Sequence, residues 1–167
     1  MSTSDAISIR RARAADATIL AAMRVASYRE RHPEEDAATI ERFAATCEAF
    51  FASELGAERS FLRAWIAWGT SGHDRPLGTA TLSVTPTLPR PGDRGPFLDA
   101  RVRNVYVEPF ARRLGVARAL MLDLMSDVAD HHIRRLTLGS SAMGRPLYES
   151  LGFVAKGDEM VLDLGTD

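Results

Sequence analysis

A chain of 167 residues, 46% hydrophobic and 26% charged, can bury one sizeable core and is too short for two ordinary domains. A formal charge of −1 gives no electrostatic case for nucleic acid or an anionic membrane as the main partner. No apolar run approaches the roughly 20 residues that span a bilayer. Met1–Ala6 lacks the basic and apolar regions of a secretory signal, so a cytoplasmic protein is the default expectation.

Ile7 to Arg13 alternates apolar and basic residues as a half-exposed strand does. Asp16 can cap a helix running to about Arg31, with Ile19, Met23 and Ala26 on its inner side. His32-Pro33 ends it, because the residue before proline avoids the α region. Glu34, Glu35 and Asp36 then open a second helix, about Ala37 to Leu55, whose apolar stripe is Ile40, Phe43, Ala44, Cys47, Phe50 and Phe51. Cys47, the single cysteine, excludes an intrachain disulfide and reads as a buried, inert thiol rather than a nucleophile. Phe61 to Trp68 and Leu77 to Thr85 form a hairpin about the turn at 71–76. Pro86 to Pro96, with four of the chain's 8 prolines, reads as a long loop. Ala100 to Val107 is a strand, and Gly115 to about Asp130 a helix with Ala117, Met121, Leu124 and Val128 on one face. His131-His132 lacks further ligands at metal spacing and suits a helix C-terminus, so no metal site is expected. Arg134 to Leu138 is a strand, Gly144 to Leu151 a short helix with Pro146 in its first turn, and Glu159 to Leu164 a last strand. The order βααβββαβαβ predicts one α/β (α+β) domain over 1–167, with an ordered core at 6–165 and helices flanking a mixed sheet.

The informative stretch is Val105-Tyr106-Val107-Glu108-Pro109-Phe110-Ala111-Arg112-Arg113-Leu114-Gly115-Val116-Ala117. A strand stops at proline, passes through a short basic loop and enters a helix at small residues. Such a junction aims free backbone N–H groups and the positive end of a helix at one point, which suits a pyrophosphate. Arg112, Arg113 and Arg118 add charge there, while Gly115 and Ala117 permit close approach. By itself the segment is equally an ordinary βα turn with a solvated basic loop.

Two stretches taken together resemble the GNAT N-acetyltransferase superfamily. Val107-x-Pro109 followed by Arg112-x-x-Gly115-x-Ala117 is similar to its acetyl-CoA motif. Ser141-x-x-Gly144-x-x-Leu147-Tyr148-Glu149-Ser150-Leu151-Gly152-Phe153 is similar to its second signature, in the right order after one helix and one strand. The element string from Ile7 to Leu164 also fits, with a mostly antiparallel central sheet. Three positions depart from the pattern: Arg113 stands where many members have glycine, Ala117 is the less common closing residue, and Ser141 replaces asparagine.

The resemblance implies transfer of acetyl from acetyl-CoA to a primary amine of a small molecule or peptide, by direct attack in a ternary complex. The backbone of Asn104, Val105, Tyr106 and Val107 is then expected to pair with the pantetheine arm, with a Val105 N–H stabilising the oxyanion. The amides of Arg113, Leu114, Gly115, Val116, Ala117 and Arg118 are expected to hold the pyrophosphate, with a further cofactor bond from Ser141. Tyr148 matches the family's general acid; its phenol, pKa near 10, can protonate a leaving thiolate. No general base is assigned: the strand offers no carboxylate where many relatives place a glutamate, and Glu108 reads as a solvated residue before proline. Acceptor specificity is expected from Tyr28 to Asp36 and Pro86 to Phe97, with Tyr28, Glu34 and Asn104 as candidate contacts. Glu30, Glu34, Glu35 and Asp36 suit a cationic amine, or simply the N-terminus of a helix. A homodimer is common among relatives, and neither nucleic acid nor membrane is expected as a partner. The competing function is a non-catalytic acetyl-CoA-binding sensor or regulatory module. A dinucleotide-dependent oxidoreductase fails because no G-x-G-x-x-G occurs.

Overall fold

The computed structural model describes residues 7–69, 75–92, 94, 97–129, 131 and 133–157. Its elements are β1 (Ile7–Arg11), α1 (Ala17–Arg29), α2 (Ala37–Gly56), β2 (Leu62–Gly69), β3 (Pro76–Pro86), β4 (Leu98–Val107), α3 (Val116–Ala129), β5 (Ile133–Leu138) and α4 (Arg145–Ser150). Single 3-10 turns stand at Ala14–Asp16 and Pro109–Ala111. The expected order holds through α4. The last expected strand, Glu159–Leu164, lies outside the described residues, as does His132.

The five strands lie in the order β1-β2-β3-β4-β5, antiparallel except for the parallel pair β4–β5. Alternation along β2 divides two cores. Leu62, Ala64 and Ile66 pack under α1 and α2, while Trp65 and Ala67 pack under α3. On the α3 side, Val116, Leu120, Met121, Leu124 and Val128 are the buried helix positions. No helix among the described residues is long and apolar enough to cross a membrane.

Several local expectations need correction. Asp16 stands at the start of α1 but makes no side-chain cap bond to it. Its carboxylate is already occupied by Arg10, at 2.8 and 2.7 Å, and by the Arg13 N–H at 2.8 Å. Leu20 and Ala21, rather than Ile19 and Ala26, are the most buried α1 positions beside Ala17 and Met23. Phe50 is 43% exposed, against neighbours Phe51 and Phe61, because α2 turns it off the core side. Strand β4 begins at Leu98, two residues early, since the loop closes with Thr87 N–H donating to Phe97 O at 3.1 Å. Asp36 does cap α2, accepting from Thr39 N–H at 3.0 Å. Cys47 is buried, which pushes its thiol pKa up.

Candidate active site

Two breaks in the sheet make an opening. Pairing of β4 with β5 ends at Val102↔Leu138, so Asn104 to Val107 have no β5 neighbour. Just before this, the β3 register steps from Leu82↔Val102 to Thr81↔Asn104, leaving Arg103 as the extra residue of a bulge. A bulge bends its strand and sharpens the twist, which turns the end of β4 away from β5. Backbone alternation then decides what faces the gap. Glu108 N–H donates to Leu77 O on β3 at 2.9 Å, so Val107 and Val105 point their N–H and C=O the other way. The Val107 carbonyl indeed accepts Arg112 Nε at 3.1 Å on that side.

The loop after β4 is held open by special backbone. Arg113 has φ 65° and Gly115 φ 84°, two left-handed residues separated by one. A Cβ built on Gly115 meets nothing within 4 Å, so the space before this turn is free. Helix α3 starts immediately after, at Val116, and its first N–H groups have no intrahelical acceptors. The strand end, the loop and the helix start line one cleft of about 840 Å³.

That cleft collects Asn104, Val105, Tyr106, Val107, Arg112, Arg113, Gly115, Val116, Ala117, Arg118, Ser141 and Tyr148 from the sequence-derived candidates. Leu114, Tyr28 and Glu34 are not among its lining. Leu114 projects to solvent at 62% exposure. Tyr28 stacks on His32, with centroids 4.3 Å apart, and donates to Glu35 at 3.1 Å. Glu34 is exposed, 3.8 Å from His32.

The three loop arginines have different surroundings. Arg112 turns back to the Val107 carbonyl and to the Glu30 carboxylate, which also receives the Tyr106 hydroxyl at 3.4 Å. Burial, with Glu108 and Glu30 adding, pushes the Tyr106 phenol up to about 12. Arg118 donates to Ser150 Oγ at 2.9 Å and ties α3 to α4. Arg113 is exposed, with no hydrogen bond or ion pair to the described residues.

On the far wall, Tyr148 is half-buried and stands edge-on to Phe153, centroids 6.0 Å apart. Burial raises its pKa, keeping the phenol protonated. Gly144 packs against the ring: a Cβ there sits 3.1 Å from Tyr148 Cε2. Ser141 Oγ accepts Gly144 N–H at 3.1 Å, so this hydroxyl closes the turn into α4 while its own proton stays available to a ligand. His131 Nδ1 lies 2.6 Å from the Asp127 carbonyl, at the C-terminal end of α3.

Residues 93–163 match the family described as Acetyltransferase (GNAT) domain. The whole fold agrees: a GCN5-related N-acetyltransferase from Ralstonia eutropha JMP134 superposes with a TM-score of 0.75 at 23% identity, covering 95% of this chain and 99% of that one. Residues 93–163 are thus similar to GNAT acetyltransferases, and the chain as a whole has a fold of that kind. A second similar fold, a predicted acetyltransferase from Clostridium acetobutylicum solved with acetyl-CoA, gives a TM-score of 0.73 at 21% identity, covering 95% of this chain and 97% of that one. In sequence the chain is 33% identical over 90 residues to a glucosamine 6-phosphate N-acetyltransferase of Trypanosoma brucei brucei. That match takes in 54% of this chain and 58% of the relative, so the chain spans little more than half of the curated relative's length.

Sequence reasoning did not single out Arg24, Ser27 or Arg103 as cleft residues, nor the pairing of Glu30 with Arg112, while Arg31 falls within the segment Tyr28 to Asp36 expected to shape acceptor specificity. Arg24 and Ser27 carried a signal in their helical spacing on α1; the Glu30–Arg112 pair, 82 positions apart, carried none.

Proposed function

We propose that this chain is a GNAT N-acetyltransferase that moves the acetyl group of acetyl-CoA to a primary amine of a small molecule or peptide within a ternary complex. The carrying observation is that the unpaired end of β4, the left-handed turn at Arg113 and Gly115, the start of α3 and the Tyr148 phenol share one cleft. The residues fit the co-substrate: open space before Gly115, free amides and an unpaired Arg113 suit a diphosphate, and the strand end presents Val105 to an extended amide chain. Acetyl-CoA supplies a thioester: the neutral amine nitrogen bonds to its carbonyl carbon, the C–S bond breaks, nitrogen loses one proton and the leaving sulfur gains one, giving amide and thiol.

Each residue then has a task. The Val105 N–H, aimed into the gap, donates to oxygen where charge develops, and such a preorganised donor is worth about 2.7–4 kcal/mol. Tyr148 holds a proton on Oη at neutral pH and delivers it to sulfur, help typically worth about 10²–10⁴ in rate. The amides from Arg113 to Arg118 hold the diphosphate at about 1.5–3 kcal/mol per charge-assisted bond. The Trypanosoma relative's name, with its amino-sugar acceptor, supports an amine as the second substrate.

Calorimetric titration with acetyl-CoA, followed by a thiol-release screen over amines, tests this reading. Micromolar binding and amine-dependent thiol release are expected. Binding with no release for any amine supports the sensor instead, and absence of binding removes both.

A further inference from the structure

The sheet-facing stripe of α1 begins apolar and ends cationic. Ala17 and Leu20 are buried, and at the same spacing the next positions are Arg24 and Ser27, with Arg31 in the turn two residues past the end of α1. All three line the cleft, and Ser27 Oγ reaches Asn104 Oδ1 on β4 at 3.4 Å. Opposite stands Arg103, the bulged residue of β4, whose Nε donates to Ser83 Oγ at 2.9 Å. Arg31 Nε likewise donates to Ser27 O at 3.2 Å. Both guanidinium groups thus spend one edge on the protein and keep their terminal nitrogens. Arg24 lies with its guanidinium carbon 5.8 Å from the Phe43 ring centre.

None of these three arginines has a carboxylate partner among the described residues. The carboxylate on this wall, Glu30, is engaged by Arg112 and the Tyr106 hydroxyl. The carboxylates expected to draw a cation are spent elsewhere: Glu35 on Tyr28, Asp36 on the start of α2. This wall therefore presents a positive field, concentrated by the concave surface.

We infer that the acceptor is an amine bearing its own phosphate or carboxylate, and that Arg24, Arg31 and Arg103 hold that anion. The inference rests on the acetyltransferase reading and names the acceptor class for the same site. Guanidinium forks match either oxyanion in two-point fashion, and the same field rejects polyamines. Position separates this role from cofactor binding. Ser83, Arg103's partner, belongs to the sheet face covered by α1, whereas Gly115 and Arg113 stand at the head of α3, over the other core.

Matched acceptors test it with the full chain and saturating acetyl-CoA: O-phosphoethanolamine against ethanolamine, β-alanine against propylamine, and spermidine as the cationic arm. At least a tenfold higher kcat/KM for one anionic member over its neutral partner is expected, falling as salt rises. Which pair responds separates phosphate from carboxylate. Arg31→Gln, at an exposed turn just past α1, should lower the anionic-to-neutral ratio by about tenfold, and Arg31→Glu further, with Arg103→Gln as an independent check. Equal use of neutral and anionic partners, or preference for spermidine, overturns the inference while leaving acetyl transfer intact. So does a loss of acetyl-CoA affinity in Arg31→Gln matching its loss of acceptor use, since the arginine then serves the cofactor. If acetyl-CoA itself fails to bind the parent, the enzyme reading falls and the inference with it.

Discussion

Tyr148 shows how one side chain acquires its chemistry from its packing. Phe153 and the backbone of α4 take its ring partly out of water, and burial disfavours the phenolate, so its pKa rises above the usual value near 10. The protonated form is the one the proposed acid role needs, and it is retained across the whole neutral range. Tyr148→Phe keeps the ring contact and removes the proton, so kcat should fall about 10²–10³-fold while acetyl-CoA affinity changes by less than about twofold. Steady-state kinetics beside calorimetry separate the two; unchanged kcat removes the acid role. The direction of the pKa shift adds a second check. An alkaline fall in parent kcat caused by this phenol must lie above pH 10, and the Phe variant must lack it.

At the scale of elements, the loop between β4 and α3 depends on two left-handed residues, one of which is arginine. A left-handed non-glycine residue costs roughly 1–2 kcal/mol, which Arg113 accepts where a glycine is free of strain. Gly115 provides a cleaner probe, because a methyl group there meets no protein atom within 4 Å. Gly115→Ala should lower stability by about 1 kcal/mol through φ alone, yet weaken acetyl-CoA binding tenfold or more if the diphosphate occupies that space. Thermal melts with and without ligand distinguish these, and unchanged affinity puts the ligand elsewhere. At the other end of the chain, Asp16 fastens β1 to the entry of α1 through Arg10 and the Arg13 amide. The Arg10 bonds come first in holding its carboxyl below the ordinary value. A lowered folded pKa means stability present above about pH 4 and lost as pH falls through the folded value. Asp16→Asn should therefore cost about 1–3 kcal/mol at pH 7, with the gap to the parent closing below pH 4 in denaturant titrations.

At the scale of the whole molecule, most of the element order was legible because each element carries its own period, cap or breaker; Asp36, Pro109 and Gly115 punctuate it within one or two residues, and α1 ends four residues before Pro33. The β4–α3 side of the cleft was legible for the same reason, being built from contiguous backbone. The α1 wall was not singled out, although its polar stripe is written in the 24-27 spacing, because facing the sheet is a property of two elements and not of one. Pairs across the fold carry still less local signal, and Asp127 illustrates this. It accepts Arg11 from β1 and Arg63 from β2, each at 2.6 Å, while Arg11 also covers Trp65 with its guanidinium carbon 4.8 Å from the ring centre. This clamp fixes the far end of α3 to the sheet edge opposite the cleft. Arg63 and Asp127 are both mostly shielded from water, so losing the negative member leaves a cation poorly compensated. Partial exposure of Arg11 reduces the effect, and Asp127→Asn should cost about 2 kcal/mol, or roughly 4–8 °C in Tm. The clamp lies 11 residues beyond Val116, roughly 16 Å along the helix, and touches none of the loop proposed to receive the cofactor. Acetyl-CoA affinity below the melting transition should then stay within about twofold of the parent. A larger loss means that the tilt of α3, set at its far end, controls the amides at its head, and calorimetry at 15 °C on the folded variant decides between the two.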